Sequence, residues 1–210
     1  PMSERFVRNN GANPMDPIPL PKQVPAKHAL AKLPGRKIFY ADTGGKGEAV
    51  VFLHAAATGD PKVWAYQQPV FAKAGYRVIC YARRGYYKSD NLRKDDKHSA
   101  ADDLNGLLDA LVIEKAHIVS SAAGGSIAAD FALSYPKRIL SLAITSNYAG
   151  IRKGHIFNMA QSIRPKQWNE MPRWYREFSC SYIAANPRGL KAWDKLADKA
   201  TIHRGRQQPN

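Results

Sequence analysis

Cysteine is scarce: Cys80 and Cys180 are the two in 210 residues, and they fall in neither a CxxC nor a zinc-like spacing. A disulfide framework and a structural metal are therefore not expected, and a reducing cytoplasm is the expected location. No apolar run approaches the roughly 18 residues needed to cross a bilayer. The opening PMSERFVRNN also lacks the apolar core of a secretory signal, so a soluble, unprocessed protein without a membrane partner is expected. The proline ahead of Met2 reads as a residue left by cleavage of an expression tag. Acidic residues are few as well, 17 against 32 Lys and Arg, for a formal charge of +15. Such a balance attracts phosphates. Yet the twelve Lys/Arg and four Asp/Glu of residues 151–210 are interleaved with Trp, Tyr and Pro, without a zinc-finger, helix-turn-helix or RNP signature. The charge reads as a solvated basic face, and no nucleic-acid partner is expected.

What is present suits one packed domain: 44% of residues are hydrophobic and 23% charged. Residues 1–27 are polar and proline-rich, an extended arm without a core of its own. From Lys27, HALAKL and RKIFYADTGG read as two strands joined at Pro34-Gly35. EAVVFLH follows as a strand apolar on both faces, as parallel sheets require. PKVWAYQQPVFAKAG reads as a helix with Val63, Tyr66, Val70 and Phe71 on one side. YRVICYA is the next strand, and Ser99 with Asp102 forms a capping-box signature ahead of a helix striped by Leu104, Leu107, Leu108 and Leu111. KAHIVSS, the helix GGSIAADFALSYP and the strand ILSLAITSN complete an alternation that predicts a mostly parallel sheet with helices on both faces. Residues 28–150 form this core. Residues 151–210, aromatic-rich and broken by Pro165, Pro172 and Pro187, read as a helical cap.

The chemistry is expected where KAHIVSS turns into its helix. A hydrolase of this layout sets its nucleophile there as Gly-x-Ser-x-Gly, because a strained turn lifts the side chain clear of the sheet and tolerates only small neighbours. Here the run is Ser120-Ser121-Ala122-Ala123-Gly124-Gly125. Alanine stands where the hydroxyl would be.

Two longer motifs carry a resemblance. FLHAAATGDPKVWAYQQPVFAKAGYRVICYARRGYYKSD resembles a His-Gly loop, a first helix and a strand leading to Arg-Gly-Tyr-Gly-x-Ser-Asp. HIVSSAAGG followed by SIAADFALSYPKRILSLAI resembles the nucleophile turn, its helix and the next strand. In this order they resemble the N-terminal part of the α/β-hydrolase family, from about Lys27 to Gly150, with the cap following. The departures are Ala55 for the glycine after the histidine, Ala82 for an aspartate, Tyr87 for a glycine, Ser120 for the first elbow glycine and Ala122 for the nucleophile.

The resemblance implies acyl transfer on a carboxylic ester or lactone, a small-molecule substrate, and no metal or organic cofactor. C–C bond, epoxide and halide chemistry stay open within the same fold; so does a homo-oligomer. The backbone amides of Ala123 and Ala56 would form the oxyanion hole. His54, Ala55, Ser121, Trp168, Trp174 and Tyr175 would line the substrate site, with His54 bracing its loop instead of acting as base. The cap aromatics serve equally as a core for their own segment. His117, inside a strand, reads as a satisfied core histidine. The resemblance places the acid and the catalytic histidine beyond Asn210, on the order of 80 to 100 further residues, so His155 and His203 are assigned to cap or surface roles. Ala122 removes the attacking oxygen but keeps the turn. It reads as an engineered serine-to-alanine change, consistent with the leading proline, or as a naturally silent relative.

Overall fold

The structure is a computed structural model that describes residues 18–93, 95–147, 150–151 and 153–200. The first 17 residues of the expected arm, and His203, lie outside the described residues. Six strands form one sheet: β1 (Lys27–Leu33), β2 (Arg36–Asp42), β3 (Ala49–Leu53), β4 (Arg77–Tyr81), β5 (Ala116–Ser121) and β6 (Ile139–Thr145), in the order β1-β2-β4-β3-β5-β6. The first two pairings are antiparallel and the remaining three parallel. All six follow the apolar runs of the sequence. β3 is buried at every residue, as a central parallel strand covered on both faces must be.

The covering helices divide between the two faces. α1 (Gln68–Lys73) packs with Val50, Phe52, Trp64, Val78 and Cys80 on one. α2 (Ala100–Ala110) and α3 (Ala123–Ser134) bury Leu104, Leu107, Leu108 and Phe131 in the larger core on the other. Ser99 and Asp102 make the reciprocal capping box that opens α2. The long helix expected over residues 61–75 is instead a 3-10 turn, Pro61–Trp64, followed by the short α1. Pro69 has no amide to donate and is accommodated only near a helix start, so the helix begins beside it. Tyr66 and Val70, expected to face inward, are exposed.

Beyond residue 150 the chain is helical, with α4 (Gly154–Ser162), α5 (Arg173–Glu177), α6 (Cys180–Ala185) and α7 (Pro187–Ala200). Its aromatic residues pack largely on each other: Phe178 stacks on Tyr182 at 4.8 Å and meets Trp193 edge-on at 5.1 Å. Arg173 donates to Asp194 and Asp198 and lies over the Trp193 ring.

Candidate active site

The register of the parallel strands assembles the site. Leu53 pairs with Ser120, so the chain leaving β3 at His54 emerges beside the chain leaving β5 at Ser121. Ala122 is the one residue between β5 and α3, with φ 46° and ψ −119°. An L-residue there is strained by steric contact of its own Cβ. Three hydrogen bonds over-determine the turn: Ala122 N–H donates to the Thr145 carbonyl (3.0 Å), and the Ala122 carbonyl accepts from Gly125 N–H (2.8 Å) and from Asn147 Nδ2 (2.7 Å).

The neighbours must be small. A Cβ on Gly124 would meet the Leu53 carbonyl oxygen at 2.5 Å, and one on Gly125 would meet the Asn147 Cβ at 2.6 Å. Ser120, in the first glycine's place, is fully buried with its Oγ donating to the Ala143 carbonyl, so it is unavailable as a substitute nucleophile. Ser121 and Ala122 are both half-buried. Ala123 opens α3, whose first amides have no intrahelical acceptor.

His54 has 1% of its surface exposed. Its Nε2 accepts from the backbone N–H of Arg83 at 3.0 Å, which leaves the proton on Nδ1, and Nδ1 donates to the Ala55 carbonyl at 2.6 Å. Burial, then the Arg83 charge, hold its pKa well below the usual histidine value, against the opposing bond to Ala55. A neutral, enclosed imidazole with both nitrogens engaged braces the loop; it offers no surface to a ligand, contrary to its expected place in the lining. Ala55 and Ala56 are half-buried on that loop.

Below the loop, the Arg-Gly-Tyr motif is a scaffold. Arg84 is buried, donating to Asp103, Asp96 and the His98 carbonyl, and Asp103 also accepts from Arg36 at 2.5 Å. Ser89 donates to the Ala82 carbonyl and accepts from Phe39 N–H. Tyr87 has φ 48°, which explains why glycine suits this position.

The other expected lining residues belong to the helical segment beyond residue 150. Trp174 and Tyr175 meet each other at 6.1 Å, Trp168 is half-buried in its own segment, and α7 sends Ala192 and Leu196 to the face that carries α1. His155 is exposed on α4. His117 is half-buried and satisfied by Ser141 and Glu48 instead of lying in the core. Asn147 was not anticipated: it anchors the Ala122 carbonyl and accepts from Gly150 N–H. Its only signal is a polar residue just past a strand end. Arg83 was missed for a different reason, since its contact with His54 is made mainly by backbone.

Residues 48–180 match the α/β-hydrolase fold family. The chain belongs to that family. Among curated relatives, a 2-hydroxy-6-oxononadienedioate/2-hydroxy-6-oxononatrienedioate hydrolase of Paraburkholderia phymatum is 40% identical over 121 residues, covering 54% of this chain and 41% of the relative. A 2-hydroxy-6-oxo-6-phenylhexa-2,4-dienoate hydrolase of Comamonas testosteroni is 38% identical over 106 residues, covering 49% and 37%. The matched region thus spans about two fifths of these relatives' own length. Among solved structures, an epoxide hydrolase from an endophytic Streptomyces superposes with a TM-score of 0.58 at 27% identity, over 68% of this chain and 44% of that one.

Proposed function

We propose that this fold serves a hydrolase that attacks a carbonyl carbon from position 122, and that Ala122 leaves the present chain able to bind but not to turn over. The observation that carries the reading is the strained φ of Ala122 at the β5–α3 junction, with the Ala123 amide directly behind it. In the competent form, serine at 122 would supply the nucleophile, and the amides of Ala123 and Ala56 would hold the oxyanion. The relatives' names favour hydrolysis of a 6-oxo dienoate, at a carbon–carbon bond, over the ester or lactone implied by motif resemblance alone. Both reactions need an electrophilic carbonyl at the same point, so the turn serves either.

The test is Ala122→Ser in the full-length protein, assayed against a 2-hydroxy-6-oxo-dienoate, p-nitrophenyl esters and an epoxide. Turnover of the oxo-dienoate above the esters is the expected result. Epoxide turnover alone would overturn the reading. A second reading, a ligand-binding protein of hydrolase fold, is favoured by Ala122 itself, and it predicts retained ligand binding with no turnover after the serine is restored.

A further inference from the structure

Residues 54–59 run from β3 toward the Pro61–Trp64 turn and are sunk at both ends. His54, Thr58 and Gly59 are buried, whereas Ala55, Ala56 and Ala57 stand half-buried between them. Each end is held from the segment just past β4. At the first, His54 Nε2 accepts from the Arg83 backbone N–H at 3.0 Å, with the Arg83 Nε at 3.4 Å. At the second, a Cβ on Gly59 would meet the Tyr86 Cβ at 2.5 Å, so glycine is what lets that ring lie against the loop. The Arg83 guanidinium covers the Tyr86 ring at 4.7 Å, and the same ring meets the His54 ring edge-on at 4.9 Å. One side chain therefore joins the two ends of the loop.

The fold alone does not account for an arginine here. Arg83 is buried, its charged form is favoured by the phenols of Tyr81 and Tyr86, and it makes no ion pair among the described residues. Its Nη2 has no hydrogen-bond partner, and neither has the Tyr81 hydroxyl. Arg36 and Arg84 are buried as well, but each of them meets an aspartate. An unpaired buried cation lowers stability, so an apolar chain of similar length would suit the interior better. We propose that Arg83 is a positioning residue, clamping residues 54–59 so that the Ala56 amide stays aimed at the carbonyl attacked from position 122; this rests on Ala56 being an oxyanion donor, as proposed above.

The test sets stability against turnover in the full-length Ala122→Ser protein. Arg83→Met removes the guanidinium but keeps the backbone bond to His54. Its urea midpoint is expected to match or exceed that of Ala122→Ser alone, while kcat on the oxo-dienoate falls roughly 10- to 100-fold with KM changed by less than about twofold. A residue that merely held the fold together would give the opposite pattern, a lowered midpoint with kcat kept, and that result overturns the proposal. A loss carried by KM overturns it too. Should Arg83→Met be destabilised or fail to fold, Tyr86→Leu decides: it withdraws the ring from under the guanidinium and should repeat the loss of kcat, and an undiminished kcat overturns the proposal. A further readout needs no turnover. The His54 Nδ1 proton, donated to the Ala55 carbonyl at 2.6 Å, should exchange with water about tenfold faster in Arg83→Met of the parent chain, as followed by NMR. Unchanged exchange overturns the clamp whether or not Ala122→Ser is active. Faster exchange beside an Ala122→Ser protein silent toward every substrate supports the clamp and overturns the hydrolase reading instead.

Discussion

The carbonyl oxygen of Leu53 lies where Gly124 leaves room for it, 2.5 Å from the point a Cβ would occupy. The first turn of α3 therefore rests on the backbone of β3, and that contact sets the height of Ala122 and the Ala123 amide above the sheet. A strand backbone cannot yield as a side-chain tip can. Gly124→Val is expected to lower stability by about 2–4 kcal/mol in urea unfolding followed by circular dichroism. Gly106→Ala is the control, because a Cβ there meets only the flexible Leu33 side chain at 3.0 Å. Its effect should stay within about 1 kcal/mol, since alanine is the better helix former. Equal tolerance at the two positions would refute the contact.

Asp103 accepts from both Arg36 and Arg84, and all three are buried. Removing its charge leaves the buried Arg36 guanidinium without an ion pair among the described residues and Arg84 with Asp96 alone, and an unpaired buried ion is far more costly than the pair is stabilising. Asp103→Asn should cost about 3–5 kcal/mol, measured by chemical denaturation. A loss under about 1 kcal/mol would mean that water reaches the cluster, because that is the scale of a solvent-screened pair.

The strands were legible because their apolar runs carry the information locally, as in AVVFL of β3, and the capping box of α2 because both partners lie three residues apart. The turn at Ala122 was legible from small-residue spacing. The helix over residues 61–75 was misread because a proline inside an amphipathic pattern changes where a helix can start without changing its periodicity. Trp168, Trp174 and Tyr175 carry two readings in the sequence, pocket wall or aromatic core of their own segment, because composition does not distinguish the two. Asn147 escaped because its function depends on β6 lying beside β5, a relation with no signature in the residue itself.

Asp102 answers to pH with a definite sign. Burial raises its pKa, but hydrogen bonds from Tyr135 and from the Ser99 amide and hydroxyl outweigh that and hold it below the ordinary carboxylate value. A depressed folded value stabilises above the unfolded pKa and is lost as pH falls through the folded one. Asp102→Asn should therefore cost about 1 kcal/mol at neutral pH, with the difference from the parent chain shrinking below about pH 4. Tyr135 is the mirror case. Its hydroxyl is pushed up to about 12, so its contribution is full below about pH 10 and fades as pH rises toward the folded value. Denaturation midpoints across pH, compared with Tyr135→Phe, check both signs.

Cys80 and Cys180 should separate cleanly by reactivity. Cys80 is buried with its thiol pushed up to about 12, whereas Cys180 is exposed at the start of α6. At pH 8 a disulfide reagent should titrate one thiol quickly in the folded chain and both in denaturant. Rapid modification of both in the native state would place Cys80 outside the sheet core.

The strain at Ala122 makes a prediction independent of any substrate. An L-residue at φ 46°, ψ −119° costs about 1–3 kcal/mol, whereas glycine is free of its Cβ contact but loses about 0.5–1 kcal/mol more chain entropy on folding. Ala122→Gly is therefore expected to stabilise the chain by up to about 2 kcal/mol, the larger range minus the smaller. Ala122→Ser, which keeps the Cβ, should leave stability nearly unchanged. The ordering of denaturation midpoints, glycine above alanine and serine together, is the signature of a turn held in strain by Thr145, Gly125 and Asn147. A glycine variant less stable than alanine would show that residue 122 has an ordinary backbone, and the hydrolase reading of this position would lose its physical basis.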